Sequence, residues 1–344
     1  MKKNFLRVFL SFVLIASFVT LASAAVQGKD GKPYHLKLGY SPSLCQSPLH
    51  IAVEKGFFAA EGIDAENVQV AAAHIQEAVG AGQVEAGFGL IGKFLQPVEN
   101  GLGIQFTAGI HTGCTRVLVP ADSDIKDVAG LRGKRIGVTG LASADIIIVK
   151  RALAAEKISV DMRDGEVEFV VFPINDLPLA LKNGAVDVIA LGDPFAAQAA
   201  EEFGLKTLID TAETAPFGDE YCCAVFVTNK LAKERPDVAA AFTRAALKAS
   251  VWINEHPEET AKIQLEKKYV AGEQEFNASI IKHYNYMPSV QGGYDAIKLS
   301  VQQLADIGVL KPGTDAKKFT DNCFTFFDDV PDTYTVEESK APID

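Results

Sequence analysis

An α/β chain of two lobes, each a mainly parallel sheet flanked by helices, is what the sequence predicts, and three observations predict it. Short apolar segments alternate with segments of helical periodicity along most of the chain, the pattern of βαβ units and so of parallel strands covered by helices. The 344 residues exceed what one hydrophobic core usually organises. Two apolar segments, 115–120 and 223–228, break the alternation. The chain is therefore read as leaving a first lobe, building a second and returning. Residues 35–118 and 223–325 are assigned to the first lobe, 119–222 to the second, and 326–344 to an acidic tail expected to pack loosely. Two crossings make a hinge, and a hinge permits closure on a ligand.

Each element has a local reason. Leu36 and Leu38 alternate with His35 and Lys37, which suits a strand. Residues 40–48 are rich in Ser and Pro and do not continue it. Leu49, Ile51, Ala52, Val53, Phe57 and Phe58 then recur at helical spacing, with Gly56 and Gly62 as turning points. A strand over 68–70, a helix over 74–84, a strand over 86–91, a helix over 92–100 and a strand over 104–110 follow. In the second lobe, strands are expected at 135–138, 166–172, 186–191 and 206–209. Helices are expected at 145–156, 176–183 and 194–203. After the return, helices are expected at 236–256, 257–269, 276–284 and 294–307, the last closed by Gly308.

The first residues read as a processing segment. Lys2, Lys3 and Arg7 precede a mostly apolar run over 9–21, and Ala22-Ser23-Ala24 is a small-x-small cleavage signal. A signal peptide over 1–24 is expected, with an exported, soluble remainder. The formal net charge of −11 becomes −14 when the leader's three cations are removed. Such acidity, without basic-aromatic clusters, argues against a nucleic-acid partner. The five cysteines, Cys45, Cys114, Cys222, Cys223 and Cys323, form no CxxC pair, so neither a zinc ribbon nor a thioredoxin motif is indicated. They are read as small buried hydrophobes, or as ligand contacts, a soft-metal site or a disulfide. No G-x-S-x-G, HExxH, P-loop or EF-hand pattern is present. No catalytic residue, metal or cofactor is assigned.

The stretch 36–64 carries more than secondary structure. Its GY…P…A…KGFFAAEGID resembles the opening of the periplasmic substrate-binding proteins of ABC importers for nitrate, sulfonates, taurine and thiamine-type pyrimidines. AVGAGQVEAGFG at 78–89, LRGKRIGV at 131–138 and DPF at 193–195 follow in the same order, so the resemblance runs from about Leu36 to about Phe319. It implies a two-lobed periplasmic binding protein fold, type II-like, with a two-crossing hinge. It also implies a cleft-facing role for DPF, where Leu191-Gly192 stands in place of the family's aromatic residue.

In parallel sheets, ligands sit outside the carboxyl ends of the strands, which selects six loops. The first supplies Ser41, Leu44, Cys45 and His50, and the second Ile91 and Gly92, beside Lys93. The third supplies His111 and Cys114, the fourth Thr139, Gly140 and Ser143, the fifth Asp193 and Phe195, and the sixth Tyr221 and Cys222. In the fourth loop, Gly140 allows close backbone approach, and Ser143 lies where free helix N–H groups point, so it either binds a polar ligand end or caps the helix. Asp193 either meets an amine or caps the next helix. Lys93 and Arg116 are the cations near these loops, which favours a neutral, zwitterionic or singly charged solute over a multiply charged anion.

The function expected is that of a monomeric extracytoplasmic solute-binding component of an ABC importer. It would bind a small organic or singly charged anionic solute in the interlobe cleft and present it to membrane permease subunits. The resemblance also implies an alternative, an enzyme similar to the thiamine-pyrimidine synthases of this fold, which use a Cys-rich motif, a His and a Lys-bound pyridoxal cofactor. A sensor input domain is a third reading. The export signal and the poor match of Cys222-Cys223 to the Cys-rich motif favour the binding protein.

Overall fold

The computed structural model describes residues 25–71 and 74–343, so the expected signal peptide lies outside the described residues. Two five-stranded sheets organise the chain. Strand β1 (Tyr34–Tyr40) leads through a 3-10 turn, Leu44–Gln46, into helix α1 (Ser47–Glu54) and then α2 (Phe57–Ala60). Pro48 sits in the first turn of α1, where its missing N–H costs nothing. β2 (Ile63–Gln69), α3 (Ile75–Gly80), β3 (Ala86–Leu90), α4 (Ile91–Glu99) and β4 (Ile104–His111) complete the first pass.

The second sheet is built from β5 (Thr115–Val119), β6 (Arg135–Val138), α5 (Ala144–Ala155), β7 (Glu168–Val171), α6 (Leu177–Lys182), β8 (Val188–Gly192), α7 (Phe195–Phe203) and β9 (Lys206–Asp210). The return strand is β10 (Cys223–Thr228). It leads to α8 (Asn229–Glu234), α9 (Pro236–Glu255), α10 (Pro257–Glu266), α11 (Gln274–His283), α12 (Val290–Asp306) and α13 (Ala316–Cys323).

The sheet orders are β2-β1-β3-β10-β4 and β7-β6-β8-β5-β9. Each crossing strand lies antiparallel within the sheet it enters: β5 between β8 and β9, and β10 between β3 and β4. The other pairings, β1 with β2 and β3 and β6 with β7 and β8, are parallel. Both sheets are thus mainly parallel, with one antiparallel member supplied by a crossing. Leu36, Leu38, Phe106, Ala224, Phe226 and Phe242 are fully buried in the core of the first sheet, and Leu118, Leu177, Ile189 and Leu191 in that of the second.

Two expectations are corrected, and one helix had not been expected. The second strand spans 63–69 rather than 68–70. It is an edge strand whose Asp64, Glu66 and Gln69 leave no apolar run to read. Helix α13 was not expected: Ala316, Phe319, Thr320 and Cys323 share one face, and Thr320 and Cys323 are buried, but the helix spans only eight residues and Lys317, Lys318 and Asp321 dilute the pattern. The acidic tail is tied down rather than loose. Asp332 accepts from Ser289 Oγ, Asp329 pairs with Arg244, Ser339 is buried, and the Ile343 N–H donates to the Lys55 carbonyl.

Candidate functional site

A cavity of about 1830 Å³ opens between the two sheets, bordered by the carboxyl ends of β1, β3, β6 and β8 and by the starts of α4 and α5. The two sides also touch directly. A Cβ built on Gly92 of α4 would stand 3.0 Å from Ile147 Cγ2 of α5, so glycine there sets how closely these helices approach.

Of the residues read from the sequence, Ser41, Cys45, Gly92, Cys114, Thr139, Gly140, Ser143, Asp193 and Phe195 line the cavity. Ile91, Tyr221 and Cys222 line a small second cavity behind it instead. Leu44, His50 and His111 line neither and are fully buried. Leu44 contributes its carbonyl, which accepts from Tyr286 Oη at 3.0 Å. His50 stacks on Tyr269 at 4.1 Å and meets the Tyr40 ring edge-on, and its Nδ1 lies 2.9 Å from Gln264 Nε2. Burial pushes its pKa down to about 3, so it is a neutral packing group between α1 and α10. Tyr221 is engaged elsewhere, with its ring against Gly109 and Gly292 and its Oη donating to the Met287 carbonyl at 2.5 Å.

The fourth loop differs chemically from its sequence reading. Ser143 occupies the N-cap position of α5, but its hydroxyl donates to the Gly140 carbonyl at 2.6 Å and does not cap. Asp145 dominates this turn: its carboxylate accepts from Thr139 N–H at 2.8 Å and Thr139 Oγ1 at 2.9 Å. A carboxylate in the first turn complements the helix dipole. Two lysines stand at the cavity wall, Lys93 on α4 and Lys150 on α5, and burial lowers the pKa of both. The sequence reading missed Lys150 because it lies inside a helix, two turns beyond Ser143. Its register with Ser143 and Ile147 was the available signal.

Asp193 is occupied by its own protein. One carboxylate oxygen accepts from the Ala197 N–H at 2.9 Å, holding the start of α7, and the other accepts from Arg116 Nε at 3.1 Å. Burial pushes its pKa up to about 6, against the pull of Arg116. Arg116 also lies 3.4 Å from Asp210, which accepts from His283 Nε2 at 2.9 Å. This chain of charges joins β5 and β9 of one sheet's lobe to α11, which packs on the other. The hydrogen bond to Asp210 raises the pKa of His283. A raised histidine pKa contributes stability in full below the ordinary value of 6.5 and loses it as pH rises through the folded value. His283→Gln is therefore expected to flatten the fall in urea midpoint of the wild type as pH is raised through this window. A parallel fall in both proteins would remove His283 from the account.

Four thiols gather where the crossings meet the first sheet. Cys114 Sγ lies 3.2 Å from Cys222 Sγ, which lies 3.6 Å from Cys223 Sγ, and all are free. Cys45 Sγ is 3.0 Å from Ser43 Oγ. Cys114 has φ +102, a left-handed backbone that costs a non-glycine residue strain. Hydrogen bonds from the surrounding thiols hold Cys114 well below the ordinary thiol range, while Cys45 is pushed up to about 12. His111 sits beside them, stacked on Tyr284 at 5.3 Å, with burial lowering its pKa.

Comparison with known proteins bears on the family and the fold. The family model described as NMT1/THI5 like matches residues 46–260, more than half of the chain. A Bacillus subtilis protein whose name assigns it aliphatic sulfonates is 27% identical over 276 residues, covering 75% of this chain and 79% of that one. Among solved structures, the periplasmic nitrate-binding protein of Synechocystis has a TM-score of 0.70 at 17% identity, covering 84% of this chain and 86% of its own. The alkanesulfonate-binding protein of Xanthomonas axonopodis, bound to MOPS, has a TM-score of 0.69 at 16% identity, covering 86% and 99%. These structures share the periplasmic binding protein fold with this chain. Each of these relatives is named as a binding protein. Among the described residues, no helix is long and apolar enough to cross a membrane.

Proposed function

We propose, from the premise that this chain belongs to the NMT1/THI5 like family, that it is the extracytoplasmic solute-binding component of an ABC importer. It takes a small organic or singly charged anionic solute into the cavity between its sheets and presents the closed form to permease subunits. The observation that carries the reading is the cavity wall itself. The start of α5 and the ammonium groups of Lys93 and Lys150 border one space fed by both lobes. Helix N-termini and desolvated cations both favour an anionic group. The acidic side chains along the same wall, Asp145 among them, limit how much negative charge the solute can carry. Export with removal of residues 1–24 belongs to the same reading, and N-terminal sequencing of the exported protein tests it.

Native mass spectrometry of freshly purified protein, followed by denaturation, is the direct test. It is expected to release a small molecule, and adding that molecule back should raise the thermal midpoint. Protein that releases nothing and is not stabilised by alkanesulfonates, nitrate or small organic solutes would sink the reading. Within it, Lys93→Met is expected to weaken binding of an anionic solute by about 1.5–3 kcal/mol, the range for a hydrogen bond to a charged group. Ser143→Ala is expected to cost only about 0.5–1.5 kcal/mol, the neutral range. Calorimetric titration of the folded variants reads both. A neutral Lys93→Met would move the solute's polar end away from α4.

A further inference from the structure

We infer that the thiols of Cys114, Cys222 and Cys223, with Cys45 and His111 alongside, form a binding site for a thiophilic metal ion such as Zn(II) or Cu(I). Among the described residues there are two three-donor sets, Cys114–Cys222–Cys223 and Cys45–His111–Cys223, and within each every ligand atom lies within 4.8 Å of the others. A tetrahedral zinc with sulfur at ~2.3 Å holds its sulfurs about 3.8 Å apart. The observed 3.2 and 3.6 Å separations need only a small spread to match this.

The imidazole supplies an independent observation. His111 Nδ1 lies 2.7 Å from the Thr112 carbonyl and donates to it, which leaves Nε2 as the lone-pair nitrogen. The ring is fully buried, and Nε2 has no hydrogen-bond partner. A carbonyl fixing the far nitrogen is the usual second contact of a metal-bound histidine. An entry path exists as well, because Cys45, Cys114 and Cys223 border the large cavity.

Folding assembles this set from three distant segments. His111 ends β4 and pairs across strands with Cys223 at the start of β10, Cys114 lies on the outward crossing, and Cys45 comes from the turn after β1. Thiolate ligands select soft ions over magnesium or calcium. The site does not rest on the identity of the organic solute, so a failed metal titration would leave the proposed solute binding untouched.

The test uses the full mature chain, reduced and kept anaerobic. It is titrated with Cd(II) as an optical probe and with Zn(II) in competition with a chromophoric chelator. Saturation at one equivalent is expected, with an ultraviolet thiolate-to-metal charge-transfer band and release of protons on binding. Cys223 is common to both donor sets, so Cys223→Ser should weaken binding by at least about tenfold, the scale of losing even an outer-shell partner. Cys323→Ser, remote from the cluster, should bind as the wild type does. Should Cys223→Ser fail to fold, the double variant Cys45→Ser/Cys114→Ser must show the same loss, since it removes one donor from each set. The proposal is overturned if the reduced wild type shows no charge-transfer band, or if either cluster variant binds as tightly as Cys323→Ser.

Discussion

Arg244→Ala is expected to lower the free energy of unfolding by roughly 3 kcal/mol, read from urea denaturation with an unchanged dependence on denaturant. Arg244, on α9, is 4% exposed. It donates through Nε and Nη2 to Glu61 Oε2 at 2.9 and 2.6 Å, and through Nη1 to Asp329 of the tail. Removing one partner from a buried pair strands the other, which costs about 3–5 kcal/mol. The lower end applies because Lys248 Nζ remains 3.2 Å from Glu61 Oε1. The double variant Glu61→Leu/Arg244→Met should recover stability relative to Arg244→Ala, because no buried carboxylate is then left without its guanidinium. A loss below about 1 kcal/mol in Arg244→Ala would mean that the pair behaves as a surface ion pair. The docking of the tail would then need another cause.

Gly293→Ala sets two effects against each other, and their sizes decide the sign. Gly293 lies inside α12, where alanine would normally add about 1 kcal/mol of helix propensity. Its added methyl, however, would stand 2.1 Å from Gly109 N and 2.6 Å from the Ala108 carbonyl carbon of β4. Both are backbone atoms of a central packing contact, so no flexible side-chain end can yield. Helix α12 would have to lift from β4, loosening the paired hydrogen bonds between Gly109 and Ser289 at 2.8 and 3.1 Å. Overpacking of this kind costs about 1–3 kcal/mol and sometimes more; the upper end applies against unyielding backbone, and less the propensity gain of about 1 kcal/mol it leaves a net destabilisation of about 2 kcal/mol. Gly292→Ala is the comparison. Its methyl meets the Tyr221 ring at 2.4 Å, a side chain whose shift gives up its hydrogen bond to Met287 but leaves the strand backbone in place. Its loss should be the smaller of the two, and equal losses would show that Tyr221 is as rigid as the strand.

Much of the candidate cavity wall was legible because one rule of parallel sheets points to strand ends. Ser41, Cys45, Gly92, Thr139, Gly140, Ser143 and Asp193 were found that way and do border the cavity. The failures have a common form. His50 and Tyr221 carry ligand-like chemistry, but buried aromatic partners and glycine-lined packing had already claimed them. Lys150 was missed in a helix, where no loop signal marks it. Of the two roles open to Asp193, the carboxylate holds the start of α7, and Arg116 takes its other oxygen.

The sequence by itself determined the alternation of strands and helices, the two crossings and the order of the loops. All of these are written in local periodicity and in Gly and Pro placement. It could not determine which side chains share a space. Cys45, Cys114 and Cys223 are separated by 69 and 109 positions. Their meeting depends on β10 inserting antiparallel between β3 and β4, with Cys223 opposite His111. Partners at that range are chosen by burial and backbone hydrogen bonding across the whole sheet, and no window of sequence contains both sides of that choice.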